Sequence, residues 1–208
     1  MNKNPAEYFN LIKSTEFITS GDDVDWAVVV SDQEKIIRLI FEESTSKRDW
    51  INNFNFPIKI YKKQESCLRV ARGWGNAYKS CNDVIMEAMI KAVNEHPDYD
   101  CEILGWSYGG AMAVIASEDF YFRTKIRADI ITFGAPKPLW GRKCHRYVTS
   151  CVNNVWQFAH INDCVPLCPP LPGYKMLKKC KIGSGFSLIK LFKPNIYHLI
   201  YGDKELYF

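Results

Sequence analysis

Between Cys101 and Ile115 an apolar run, CEILGW, passes through Ser-Tyr-Gly-Gly into AMAVI with no loop between them. A chain changes its apolar period from two to 3.6 over so few residues only through a sharp turn, so Gly105-Trp106-Ser107-Tyr108-Gly109 is predicted to join a short buried strand to a helix. Gly105 and Gly109 suit that turn, because a side chain at either would crowd the neighbouring backbone. The rest of the chain alternates in the same way. Asp25–Val30 and Lys35–Phe41 read as a hairpin or adjacent edge strands joined by Ser31-Asp32-Gln33-Glu34. Ala77, Cys81, Val84, Ile85, Ala88, Met89, Ala92 and Val93 recur at helical spacing between Gly75 and His96, and Pro97 ends the helix. Ala128–Phe133 and Val155–Ala159 follow as strands, and Tyr174–Ile182 as a late strand or hairpin arm. Alternating β and α elements imply an α/β layer fold with a mostly parallel central sheet flanked by helices.

Nothing marks a boundary inside the 208 residues, so residues 1–208 are expected to form a single domain. At this length about 70% of the unfolded chain's surface can be buried, and the core needs no metal or disulfide staple. No stretch approaches the roughly 20 apolar residues that span a bilayer. The start, MNKNPAEYF, lacks the basic and apolar regions of a secretory leader, which makes a cytoplasmic location the expectation. The eight cysteines are then expected as free thiols packed as small hydrophobes; Cys164, Cys168 and Cys180 lack the paired C-x-x-C knuckle of a zinc site. The formal charge of +4 is unevenly placed, because residues 172–208 carry a net +5. That end reads either as a solvated face or as a surface suited to transient contact with an anionic membrane. Arg69, Arg72 and the late lysines form no nucleic-acid motif, so no nucleic acid is expected as a partner.

The strand–turn–helix unit also carries chemistry. Ser107 would sit at the head of a helix whose first N–H groups and positive dipole end point at the reacting centre, with the Tyr108 N–H as the natural first oxyanion donor. A serine hydroxyl is unreactive at neutral pH and needs a base and an orienting carboxylate. His96, beside Pro97, reads as a surface cap, and His145, in Arg142-Lys143-Cys144-His145-Arg146, as part of a solvated loop. His160 and His198 remain open as the base, the former equally as a packed core histidine. Asp163, just past a strand end, is a candidate carboxylate or a turn former.

At these residues the chain resembles the class 3 lipases, the fungal-lipase-like branch of the α/β-hydrolases, from about Lys35 to Tyr201. Their G-H-S-L-G-G-A segment is matched by GWSYGGA, and their T-F-G-x-P by Thr132-Phe133-Gly134-Ala135-Pro136. The N-x-x-D-x-V-P-x-x-P-P pattern is matched by HINDCVPLCPP, with Asn162 moved next to Asp163. The F-R-G-T/S loop corresponds to Phe41-Glu42-Glu43-Ser44, followed by Asp49-Trp50-Ile51, so Glu stands for both Arg and Gly. V-H-x-G-F corresponds to Val70-Ala71-Arg72-Gly73-Trp74. The resemblance implies an α/β-hydrolase-like fold and a serine carboxylester hydrolase acting on lipid or other acyl esters through an acyl-enzyme. Acylglycerols, phospholipids and small esters are all substrates within the family.

The implied triad is Ser107, Asp163 and His198, with an oxyanion hole from the Tyr108 N–H and Ser44; no cofactor and no metal are implied. Phe41, Trp74, Tyr108, Phe54 and Phe56 are the candidates to line the acyl site, and Phe54–Tyr61 lies where relatives place a lid but reads equally as a plain strand or core loop. Trp106, in place of the usual His, reads as core packing beneath the turn. Because the base works as neutral imidazole, activity is expected to fall on acidification below about pH 6 to 7. An alternative keeps the fold without the activity, as a lipid or protein binding module, and Glu42-Glu43 is the feature that favours it.

Overall fold

The computed structural model describes residues 4–43, 58–63, 66–183 and 196–207. The first element is a helix that sequence reading passed over, α1 (Pro5–Ser14). Its start is dictated locally: the Asn4 side chain accepts the Ala6 N–H at 2.9 Å, and Pro5 occupies the first helical position, where its missing N–H costs nothing. Ala6, Tyr8, Phe9 and Ile12 form its buried face, and each fully buried Phe or Ile contributes roughly 1.5–3 kcal/mol. Then come β1 (Ile18–Ser20), β2 (Val24–Ser31) and β3 (Ile36–Phe41), followed by a separate antiparallel hairpin of β4 (Ile58–Lys63) and β5 (Ser66–Ala71). The alternating part follows: α2 (Arg72–Glu95), β6 (Asp100–Trp106), α3 (Tyr108–Thr124), β7 (Asp129–Phe133), α4 (Arg142–Ser150), β8 (Val155–His160), β9 (Lys179–Ile182) and α5 (Ile196–Leu199).

The main sheet runs in the order β1-β2-β3-β6-β7-β8-β9. β1, β2 and β3 pair antiparallel; from β3 onward every pairing is parallel. The early hairpin is thus real, but β3 lies inside the sheet, and β1 rather than β2 or β3 forms that edge. Strict alternation along the strands divides the core in two. Ile37, Leu39, Phe41, Ile103 and Ile130 face α2 and α3, whereas Ile40, Leu104, Trp106, Ile131 and Phe133 face α1 and Tyr201. Beneath α1, the Arg38 guanidinium donates to Glu102 Oε2 at 2.7 Å and Tyr8 donates to Glu102 Oε1 at 2.8 Å, so the buried charges are paired.

The turn at residues 105–109 is as tight as the glycines demand. A Cβ on Gly105 would lie 2.3 Å from the Gly109 carbonyl oxygen, and one on Gly109 would lie 2.3 Å from that of Glu42. Both obstacles are backbone and cannot swing aside. Gly105→Ala is therefore expected to lower stability by about 2 kcal/mol or more, read as a shift of the urea midpoint at unchanged m-value. A midpoint within error of wild type would show that the turn relaxes freely.

Two readings change. The basic run around His145 is helix α4 rather than a solvated loop: Cys144 and Val148, four apart, are buried, and His145 Nε2 lies 3.3 Å from the Leu139 carbonyl. Burial lowers the His145 pKa. The late segment is narrower than Tyr174–Ile182, since Tyr174 makes a single bridge to Trp140 and β9 pairs only from Lys179. Of the Phe54–Tyr61 segment, residues 54–57 lie outside the described residues and Ile58–Tyr61 belongs to β4. Cys81, Cys101, Cys151, Cys168 and Cys180 are free thiols. No helix among the described residues is long and apolar enough to cross a membrane.

Candidate active site

Ser107 lies between β6 and α3 with φ 54° and ψ −123°, a left-handed conformation that a non-glycine residue adopts only when its surroundings impose it. Those surroundings are specific. Its N–H donates to the Phe133 carbonyl at 2.9 Å, its own carbonyl accepts from Gly110 at 3.0 Å, and Gly105 and Gly109 let the strand and helix close on each other. The residue is fully buried, and its Oγ has no hydrogen-bond partner among the described residues. A buried, unsatisfied hydroxyl held at strain is costly unless function needs it.

Asp163 and His198 meet although 35 positions separate them: His198 Nδ1 lies 2.8 Å from Asp163 Oδ2, with both side chains buried. The carboxylate places the ring proton on Nδ1 and leaves Nε2 as the basic nitrogen. Asp163 Oδ1 accepts the Val165 N–H at 2.9 Å, and Oδ2 also accepts the Tyr201 hydroxyl at 2.7 Å. Tyr201 in turn accepts the His160 N–H at 2.9 Å. Burial first, and then the adjacent Asp163 charge, hold the Tyr201 hydroxyl well above its ordinary pKa, so it stays a donor at any working pH.

The pair lies beside the serine. Phe133, whose carbonyl holds the Ser107 N–H, is followed by Gly134 at φ 56°, and a Cβ there would lie 2.6 Å from His198 Cε1 and 2.9 Å from Asp163 Oδ2. Gly134 is thus the floor on which the pair rests. Trp106, immediately before Ser107, donates its indole N–H to the His198 carbonyl at 3.1 Å. Neither Gly134, Tyr201 nor Trp106 was legible as a support in the sequence; the spacing of Tyr201 three residues past His198 was the only hint, and a weak one.

Other predicted residues fall as follows. His160 is a packed histidine: its ring stacks on Tyr197 at 4.9 Å and 9°, its Nδ1 accepts the Asn162 N–H at 3.1 Å, and burial lowers its pKa. Tyr108 opens α3 and is mostly buried; Phe41 and Trp74 are buried in the core between the sheet and α2. Ser44, Phe54 and Phe56 lie outside the described residues. Glu43 stands within electrostatic reach of the pair. Burial raises its pKa, Asp163 pushes the same way, and His198 and Lys13 oppose. Glu42 is likewise raised by burial and has Lys13 Nζ at 3.9 Å.

Removing the hydroxyl that ties this network together has a calculable cost. In Tyr201→Phe the buried His160 N–H loses its acceptor and Asp163 loses one donor, so stability at pH 7 is expected to fall by about 1–3 kcal/mol. Urea unfolding measures it, and an unchanged midpoint would mean the network contributes nothing.

A strained serine at the head of a helix, with an Asp–His pair beside the neighbouring strand end, is the layout of an α/β-hydrolase. Residues 39–172, more than half of the chain, match the family described as "Lipase (class 3)". The chain belongs to the class 3 lipase family. It is 26% identical over 144 residues to secreted mono- and diacylglycerol lipase A of Penicillium cyclopium, covering 69% of this chain and 46% of that protein. A lipase of Rhizopus niveus is 28% identical over 161 residues, covering 75% of this chain and 40% of that protein. The solved structure of lipase II from Rhizopus niveus superposes with a TM-score of 0.72 at 28% identity, covering 82% of this chain and 66% of that one. The chain spans about half the length of the curated relatives it matches.

Proposed function

We propose that this chain is a serine carboxylester hydrolase acting on acylglycerol-type lipid esters, with Ser107, Asp163 and His198 as its triad. The observation that carries the reading is the 2.8 Å Asp163–His198 contact, set over Gly134 beside a strained, buried serine. Ser107 attacks the ester carbonyl while His198 Nε2 takes its proton; Asp163 holds the imidazole in the productive tautomer and stabilises the imidazolium that forms. The Tyr108 N–H at the head of α3, with Ser44 as the second donor that the family resemblance implies, stabilises the developing oxyanion. Collapse releases the alcohol to the proton returned by His198, and water repeats the attack on the acyl-enzyme. Acylglycerols lead among substrates because the Penicillium relative is named for them. Of the acyl-site candidates, Tyr108 at the head of α3 is the one we assign; Phe41 and Trp74 pack in the core instead. Lys175, Lys178, Lys179 and Lys181 are exposed and suit an anionic lipid surface.

The test is an ester panel with the purified chain: p-nitrophenyl esters of short and long acyl chains, mono- and diacylglycerol emulsions, and phospholipid vesicles. Hydrolysis of the acylglycerols above the phospholipids supports the reading, and no hydrolysis of any ester overturns it. One observation favours a second reading. Glu42 and Glu43 stand where relatives carry Arg and Gly, and Glu43 brings a further carboxyl group within electrostatic reach of His198 and Asp163. A binding module of the same fold would bind acylglycerol vesicles in the same assay and leave every ester intact.

A further inference from the structure

We propose that Trp106 is a positioning residue for His198, an inference that rests on the triad reading above and deepens it. Trp106 is buried at the end of β6 and is the residue before Ser107. Its indole N–H donates to the His198 backbone carbonyl at 3.1 Å, and its ring lies 5.6 Å from the imidazole at 31°. From the other side α1 braces the indole: the Phe9 ring meets it edge-on at 5.4 Å, and Lys13 Nζ lies 4.3 Å from its centroid. Phe9 also packs edge-on against Phe133 at 5.4 Å and, tilted by 42°, against Tyr201 at 5.9 Å. One aromatic side chain of α1 therefore backs the serine turn, the strand end that holds the Ser107 amide, and the tyrosine that donates to Asp163.

The physical need for this brace follows from where His198 sits. α5 is four residues long and too short to hold its own shape, so tertiary contacts decide where the imidazole lies. The Nδ1–Asp163 bond fixes the rotation of the ring. It does not fix the distance of the backbone from Ser107, because the residue can pivot about that bond. The indole N–H supplies the second point of attachment, and it comes from the residue next to the nucleophile. The separation of His198 Nε2 from Ser107 Oγ is thereby set through a single peptide unit. Since misplacing a catalytic group by about 1 Å costs roughly 100-fold, loss of the N–H alone should be visible in turnover.

The experiment compares the wild-type chain with Trp106→Phe and with a chain carrying 3-benzothienylalanine at position 106, which keeps the indole's shape and replaces the N–H by sulfur. Steady-state kinetics on a p-nitrophenyl ester, the rate of inactivation by a fluorophosphonate and the melting temperature are measured on each. The benzothienyl chain is expected to lose 10- to 100-fold in kcat and in inactivation rate, with KM within twofold and a melting temperature lower by only about 2–4 °C for the one buried hydrogen bond lost. Trp106→Phe should match it in kcat and melt lower still. If the benzothienyl chain turns over within twofold of wild type, the positioning role is overturned while the triad stands. If the wild-type chain neither hydrolyses ester nor reacts with the fluorophosphonate, the triad reading fails, and the role of Trp106 with it.

Discussion

Ser107→Ala is expected to lower kcat on any ester the protein hydrolyses by at least about 10⁴-fold, equivalent to about 5.5 kcal/mol of transition-state stabilisation. The magnitude follows from what remains. The Asp163–His198 pair and the α3 amide ends persist, so binding and oxyanion stabilisation continue, but no covalent intermediate forms and water must attack directly. The substitution should not destabilise the fold. Ser107 Oγ has no hydrogen-bond partner among the described residues, so its removal leaves nothing unsatisfied, and alanine tolerates the φ of 54° no worse than serine does. Equal or higher thermal stability with lost activity is the predicted combination. Retention of more than a tenth of wild-type kcat would move the nucleophile elsewhere.

Asp163→Asn is expected to cost about 10⁴-fold in kcat, the loss seen when the same exchange strands a triad histidine in the wrong tautomer. The geometry here allows the amide no comfortable orientation. Oδ1 accepts the Val165 N–H, and Oδ2 accepts both the Tyr201 hydroxyl and His198 Nδ1–H. With its NH2 toward Val165, asparagine sets two donors face to face. With its NH2 toward Tyr201 and His198, it forces the ring proton from Nδ1 to Nε2, where the ring can no longer accept the serine proton. Stability should fall as well, because a buried group is left unsatisfied in either orientation. Kinetics at pH 8 with a reactive aryl ester would check it, and a loss smaller than tenfold would show that Asp163 does not orient the base.

What sequence reading could and could not reach has physical reasons. Helix α2 and strands β6 and β7 were legible because each buries many residues at one period, and the turn at Ser107 because both its flanks change period abruptly. Helix α1 was missed although Asn4 and Pro5 mark its start, since its few buried positions are spread among polar ones. Helix α4 was missed because Cys144 and Val148 are the buried positions in a run dominated by charge. The residues Ser107, Asp163 and His198 were legible as chemistry and as a family pattern. Their meeting was not, because it depends on parallel strand ends and on Gly134, Tyr201 and Trp106, whose roles exist only in three dimensions. The packing of Phe9 against Trp106, Phe133 and Tyr201 leaves no trace in local spacing.

In the proposed function the Asp163–His198 pair makes the Ser107 hydroxyl nucleophilic. Intact mass spectrometry of the chain after incubation with a fluorophosphonate, followed by peptide mapping, tests it most directly. A single adduct on the peptide containing Ser107, absent in Ser107→Ala and formed far more slowly in Asp163→Asn, is the predicted result. No adduct on the wild-type chain, or one on another residue that survives Ser107→Ala, would contradict it.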